Sequence, residues 1–283
     1  MIVIVIHYLI VNASLHNDRT MVKMINNIIL GSHVDRNNPL EGARYRLADA
    51  IQINLSAPQT WRAPKIKGDE AMIAASGIPV YVHAPYLINP ASVNPEQRAK
   101  SRRCLQEQTR AAAKVGARGL VVHGGHPTGD GKVEDGIEGW LEVLDGWTPD
   151  VPILIENTAG GSAAVARHIN ALALLFDSLR KEGHEPGFTL DTCHAHAGGM
   201  DPNNFIPAII EATGRIDLVH LNDSKDDFGS GRDRHENLGH GKIDPDWLVE
   251  IIKTSGATII VETPNGSDAM AKDISWMRAR LKS

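Results

Sequence analysis

With 283 residues, 42% of them hydrophobic and 22% charged, the chain is long enough for one large core, and a barrel of about 250 residues is within its reach. A formal net charge of −5 excludes binding of nucleic acid by bulk basic charge, so any phosphate must meet local positive charge or metal. The two cysteines, Cys104 and Cys193, form neither a C-x-x-C pair nor a secreted disulfide framework, which points to a reducing cytoplasm.

Met1 to Val11 is apolar but too short to span a bilayer, and no basic residue precedes it. Residues 1–27 read as an N-terminal extension, or as an artefact of an upstream start with Met21 or Met24 as the working one, and 28–283 as one catalytic domain. Short runs rich in Ile and Val then recur: Ile28 to His33, Ala50 to Leu55, Ile78 to His83, Gly119 to His123, Val151 to Glu156, Gly187 to Asp191, Ile216 to His220 and Thr258 to Glu262. Helical segments fall between them. Pro95 to Val115 has Pro and Glu in its first turn and Gly116 past its end, Ser162 to Arg180 carries Val165, Ile169, Leu172 and Phe176 at helical spacing, and Asp244 to Lys253 begins D-P-D-W. The alternation predicts an α/β fold, a (β/α)8 TIM barrel.

Functional groups in such a barrel collect at the carboxyl ends of the strands. The third to eighth runs end at His83, His123, Glu156, Asp191, His220 and Glu262. A lone histidine there is more often a hydrogen-bonded structural residue, but successive metal-capable ends at one rim are hard to obtain that way. His194 follows Asp191 by three residues, and the Gly-rich loop after His220 presents Asp233 and His235 on alternate residues. Carboxylates converging without cations would repel. These donors exceed the four that one tetrahedral zinc takes. With bridging carboxylates they suffice for three ions, and about +6 of metal charge against −4 of carboxylate makes an anion trap. Manganese or iron would accept the same donors.

Y-V-H-A-P-Y-L-I-N-P-A-S at 81–92, I-E-N-T-A-G at 155–160, L-D-T-C-H-A at 190–195 and H-L-N-D-S-K-D-D-F-G-S-G-R-D-R-H-E-N-L-G at 220–239 resemble the endonuclease IV family. The resemblance runs from about Ile28 to the C-terminus. It implies a zinc-dependent DNA repair enzyme that cuts the phosphodiester 5′ to abasic sites and leaves a 3′ hydroxyl, with phosphodiesterase activity on blocked 3′ ends. By position it implies that His83, His123 and Glu156 hold one zinc, that Glu156 bridges to a second held by Asp191, His220 and Glu262, and that His194, Asp233 and His235 hold a third. Glu156, touching two ions, would steer or deprotonate the attacking water. Tyr86 and Leu87 match the loop that wedges into the base stack, against the plainer reading of Tyr86 as rim packing. Arg232 and Arg234, with Lys225 and Lys242, offer local positive charge for phosphates, although a solvated face is the default.

Three departures bear on DNA affinity and lesion preference. The family's H-P-G-S is here His123-Gly124-Gly125-His126, a looser loop with an extra imidazole able to join the metal shell. Its L-G-E-G is Leu238-Gly239-His240-Gly241, and Gln59 stands where an arginine often fills the gap in the DNA. His16 and His196 are assigned no role, and Cys193 is read as small core filler. Two other functions fit the same rim: a one- or two-metal sugar isomerase or epimerase, which has no need of His194, Asp233 and His235, and a catalytically weak binder of damaged DNA. The expected partner is DNA, with no membrane, and the expected state is a monomer.

Overall fold

Each barrel strand falls on one of the Ile- and Val-rich runs, where β-branched residues suit a pleated, buried surface. The computed structural model describes residues 28–65 and 67–282; the proposed extension at 1–27 lies outside them. The barrel strands are β1 Leu30–His33, β2 Ala50–Asn54, β3 Val80–His83, β4 Ala117–His123, β5 Ile153–Glu156, β6 Gly187–Asp191, β7 Leu218–His220 and β10 Thr258–Val261. They pair in parallel and close in the order β1-β10-β7-β6-β5-β4-β3-β2. The long loop after β7 carries its own short antiparallel pair, β8 Asp223–Ser224 and β9 His235–Glu236.

Helices cover the barrel: α1 Pro39–Arg46, α2 Glu70–Ala74, α3 Pro95–Lys114, α4 Val133–Leu144, α5 Ile169–Lys181, α6 Thr192–Gly198, α7 Phe205–Thr213, α8 Pro245–Thr254 and α9 Gly266–Arg280. Their starts follow local chemistry. Asn94 caps α3 by accepting from the amides of Glu96 and Gln97, and Pro95 fills the first position, where no amide hydrogen is needed. Asp244 caps α8 in the same way through Asp246 N. The helix expected from Ser162 begins only at Ile169. Val165 and Ala166 are instead buried in the preceding loop, which is tied down by Val165 N to Gly125 O at 3.2 Å and Thr158 N to Ala166 O at 3.1 Å. These bonds fold that loop back over the barrel mouth.

Side chains alternate along each strand. On β2, Ile51 and Ile53 join the large core between strands and helices, whereas Ala50 belongs to a second cluster inside the barrel with Tyr81, Val121, Leu154, Leu218 and Ile260. The interior is filled rather than open, and Gly31 on β1 has no room for a side chain: a Cβ there would meet Ala50 O and Ile260 Cδ1 at 2.5 Å. Among the described residues no helix is long and apolar enough to cross a membrane.

Candidate metal centre

Strand register brings the candidate donors together. His123 lies beside Glu156 across β4 and β5, and Asp191 beside His220 across β6 and β7. His83 closes β3, and Glu262 follows the last residue of β10. His194 comes from the first turn of α6, whose N-cap is Asp191: the Asp191 side chain accepts from His194 N at 2.7 Å. Asp233 arrives from the loop between β8 and β9, and His235 from the first position of β9.

Three donor groupings divide the rim; the first two contain the residues expected for two of the ions, whereas the third takes Asp191 in place of the expected Asp233. His83, His123 and Glu156 form one; Glu156, Asp191, His220 and Glu262 a second; Asp191, His194 and His235 a third. In each, the ligand atoms lie within 4.8 Å of one another. Asp233 and His235 also group with Cys193. The Glu156 carboxylate is split between neighbours, with Oε2 at 3.3 Å from His83 Nε2 and 3.2 Å from His123 Nε2, and Oε1 at 2.9 Å from His220 Nδ1. Asp233 spans His194 Nε2 and His235 Nε2, each at 3.1 Å.

The other ring nitrogens show which way the imidazoles face. His83 Nδ1 donates to Ala84 O at 2.7 Å, His194 Nδ1 to Asn157 O at 2.9 Å and His235 Nδ1 to Glu262 O at 3.4 Å. Each thus turns Nε2 towards the carboxylates, the arrangement in which a metal-binding histidine is fixed by its second nitrogen. His235 Nε2 is buried with no hydrogen-bond partner, since Asp233 is near but misaligned. An orphaned ring nitrogen between Asp191 and Asp233 is what a divalent cation would satisfy, so the donor set fits metal.

Charge within the rim is mutually stabilised. Burial pushes His83 down, but the Glu156 carboxylate outweighs it and holds the imidazole up at about 9. Burial is likewise overcome at His235, which Asp191 and Asp233 hold at about 9. His194 and His220 are raised in the same sense by their carboxylate neighbours. Burial would lift Glu156, Glu262 and Asp233, yet the histidines hold all three below the ordinary carboxylate range.

The family model of the xylose isomerase-like TIM barrel matches residues 48–280. A protein of Mycobacterium tuberculosis named probable endonuclease 4 is 47% identical over 256 residues, covering 90% of this chain and all of that one. The crystal structure of endonuclease IV from Thermus thermophilus superimposes with a TM-score of 0.77 at 30% identity, covering 90% of this chain and 99% of its own. The chain belongs to the endonuclease IV family. A D-tagatose 3-epimerase-like protein, at TM-score 0.73 and 19% identity, shares the fold alone.

Around this endonuclease IV-type rim, the residues expected to meet DNA have mixed settings. Tyr86 is 56% exposed at the mouth, its ring parallel to His123 at 5.5 Å and edge-on to His83. Partial burial, aided by Glu262 and Glu156, lifts the phenol to about 12. Leu87 is half-buried and Gln59 exposed. Arg234 is engaged by Asp226, with Nε 2.7 Å from Oδ2, and Arg232 leans on the same carboxylate at 3.6 Å; both arginines stay more than half exposed.

The Gly124-Gly125 loop is pinned rather than loose. Gly124 N donates to Glu156 O at 2.9 Å, Trp140 Nε1 donates to Gly124 O at 2.7 Å, and a Cβ on Gly124 would meet Ala166 at 2.3 Å. His126 is held by Asn89 on both sides of its backbone, stays exposed, and joins no donor group among the described residues, nor does His240. Cys193 is buried, and burial with Asp191 pushes its thiol up, while its sulfur lies in one donor group with Asp233 and His235. His196 serves the fold by reaching Asp226 O through Nε2 at 3.1 Å.

Several supporting residues were not visible in the sequence. Gln52 reaches both Glu262 and His220, and His33 lies 3.5 Å from Glu262. Asn222 donates to Asp191 Oδ2 at 2.7 Å and accepts from Glu262 N, and the Asn157 amide is locked to the Asp191 backbone. His33 had a usable signal, because it ends the first Ile-rich run as the donors end theirs. The amides carried none.

Proposed function

We propose that this protein is a zinc-dependent DNA repair endonuclease that cleaves the phosphodiester 5′ to abasic sites, leaving a 3′ hydroxyl, and that also removes blocking groups from 3′ ends. What carries the reading is the sharing of carboxylates. Glu156 belongs to two donor groups and Asp191 to two, so the rim is a linked chain rather than one site. That suits three ions; an isomerase or epimerase works with one or two.

His83, His123 and Glu156 would hold the first ion, Glu156, Asp191, His220 and Glu262 the second, and His194, Asp233 and His235, supported by Asp191, the third. Manganese or iron would substitute to some degree. Bound metal supplies Lewis-acid charge for the phosphate oxygens and a water acidic enough to react near neutral pH. Glu156 presents one oxygen to His83 and His123 and the other to His220, so a single fixed carboxylate spans both sides of the paired site and orients the attacking water between them.

Tyr86 and Leu87 stand at the mouth, where an apolar wedge would open the base step, and an abasic nucleotide costs little to extrude because it has no base to unstack. Gln59, Arg232 and Arg234 would line the DNA path, and affinity would fall with salt. The buried free thiols Cys104 and Cys193 suit a reducing cytoplasm, and the protein would act as a monomer.

The test is a duplex containing one abasic analogue, incubated with and without chelator. A nick 5′ to the lesion that needs metal is expected; no cleavage by fully zinc-loaded protein would overturn the reading. Tight binding with no single-turnover cleavage would identify a damaged-DNA binder instead, and about one metal per chain would favour the isomerase.

A further inference from the structure

Of the rim imidazoles with a hydrogen bond to their second nitrogen, three use a backbone carbonyl, from Ala84, Asn157 or Glu262. His220 is different. Its Nδ1 faces Glu156 and Glu262, and its Nε2 lies 2.7 Å from the side-chain oxygen of Gln52. The amide nitrogen of Gln52 donates to Glu262 Oε1 and lies 3.3 Å from His33 Nδ1.

The amide can face only one way. Turned over, its oxygen would point at the Glu262 carboxylate and its NH2 at a ring nitrogen that must then become an acceptor, which would place the proton on Nδ1 in the middle of the donor group. With the observed orientation, Nε2 donates to Gln52, and Nδ1, which donates to Glu156 at 2.9 Å, is the nitrogen that would give up its proton to a cation. Gln52 therefore sets the tautomer of one candidate ligand and aims the carboxylate of another in the same group. It is fully buried on the inward face of β2, two residues from Ala50, where an unpaired amide would be costly.

We propose that Gln52 is a positioning residue that sets the divalent-cation affinity of the Glu156, Asp191, His220 and Glu262 group by holding His220 and Glu262 together. The inference rests on the reading of the rim as a metal centre. Unlike the backbone carbonyls that fix the other rings, this support is a side chain, and one substitution removes it.

The experiment is zinc titration of chelator-treated protein against a chromophoric competitor, with the absorption spectrum of the cobalt-loaded protein as a second readout. Gln52→Met keeps length and apolar volume but loses both hydrogen bonds. Gln52→Asn keeps the amide but is too short to reach both partners, and it decides the matter if Gln52→Met does not fold. One ion is expected to bind about 10- to 100-fold more weakly while the others stay within about twofold, and the cobalt spectrum should change in part. Binding of every ion within about twofold of the parent, with an unchanged cobalt spectrum, would overturn the proposal, as would uniform weakening of all ions, which marks general damage. A parent protein that binds no divalent metal would instead remove the metal reading itself, a result visible before any variant is made.

Discussion

Asp223→Ala should free the loop that carries Asp233 and His235 without touching a candidate ligand. Asp223 is fully buried just after β7, and its carboxylate accepts from Gly239 N, Gly241 N and Ile243 N, each at 3.0 Å. Those amides belong to the stretch that follows β9, so one side chain clamps both ends of the excursion. Gly241 is a glycine because the clamp is tight: a Cβ there would meet Asp223 Oδ1 at 2.3 Å and Ser224 O at 2.4 Å. Leaving a buried donor unpaired costs ~1–3 kcal/mol, so three amides sum to ~3–9 kcal/mol. Gly239 is exposed, and water can recover its bond. The expected loss is therefore about 3–5 kcal/mol, a large part of the ~5–15 kcal/mol available to a domain. Thermal unfolding of chelator-treated protein should show it as a fall of roughly 10 °C, with Asp223→Asn intermediate because its single oxygen keeps part of the clamp. Metal analysis of the surviving folded protein should show about one ion fewer, since the loop holds two donors of the third group. A loss under about 1 kcal/mol with full metal content would refute the clamp and show that the loop holds itself.

Three further outcomes follow from the same geometry. His235→Ala should lower metal content by about one ion and activity by about 100-fold or more, and should also lower the melting temperature of chelator-treated protein, because the raised imidazole offsets Asp191 and Asp233; full activity and full metal content would reduce this loop to a solvated turn. In the metal-free protein, His83 is raised from 6.5 to about 9, so its pairing with Glu156 contributes stability that is fully present below about pH 6.5 and is lost as pH rises through about 9. Melting temperatures of chelator-treated protein should accordingly fall across that window, those of zinc-loaded protein should not, and zinc added at pH 7 to an unbuffered sample should release protons; no release would contradict the assignment. Tyr86→Ala should weaken binding of abasic duplex by about tenfold and leave metal content alone, a split that plain rim packing would not produce.

The barrel and the candidate donors at its mouth were legible because both depend on strand periodicity. Strand ends fix which residues reach the mouth, and imidazoles and carboxylates at those ends are chemically conspicuous. What escaped depends on contacts between distant segments. Gln52 is an unremarkable polar residue in an Ile-rich run until β2 is laid across the barrel from β7. The start of α5 at Ile169 was hidden because Val165 satisfies helical spacing yet is spent on the loop that bonds to Gly125. Gly124 and Gly125 suggested looseness from composition, whereas the Gly124 amide, the Gly125 carbonyl and the space around both show close approach. Arg234 offered a free positive charge in the sequence, and only the folded loop reveals Asp226 against it.

The charge pattern of the rim explains how four carboxylates are gathered in a buried place before metal arrives. Glu156, Asp191, Asp233 and Glu262 would repel if left alone, but His83, His194, His220 and His235 are all raised, so protons on the imidazoles offset the anions in the metal-free protein. The nitrogens that face the carboxylates in this state are the ones a cation would use, and protons and metal therefore compete for the same atoms. Were three divalent ions to replace the four protons, the charge brought to the rim would rise from about +4 to about +6 and turn a neutral cluster into one that attracts phosphate. On the reading of the rim as a metal centre, its donors are gathered before metal arrives, and its attraction for an anionic substrate would begin only once metal had displaced the protons.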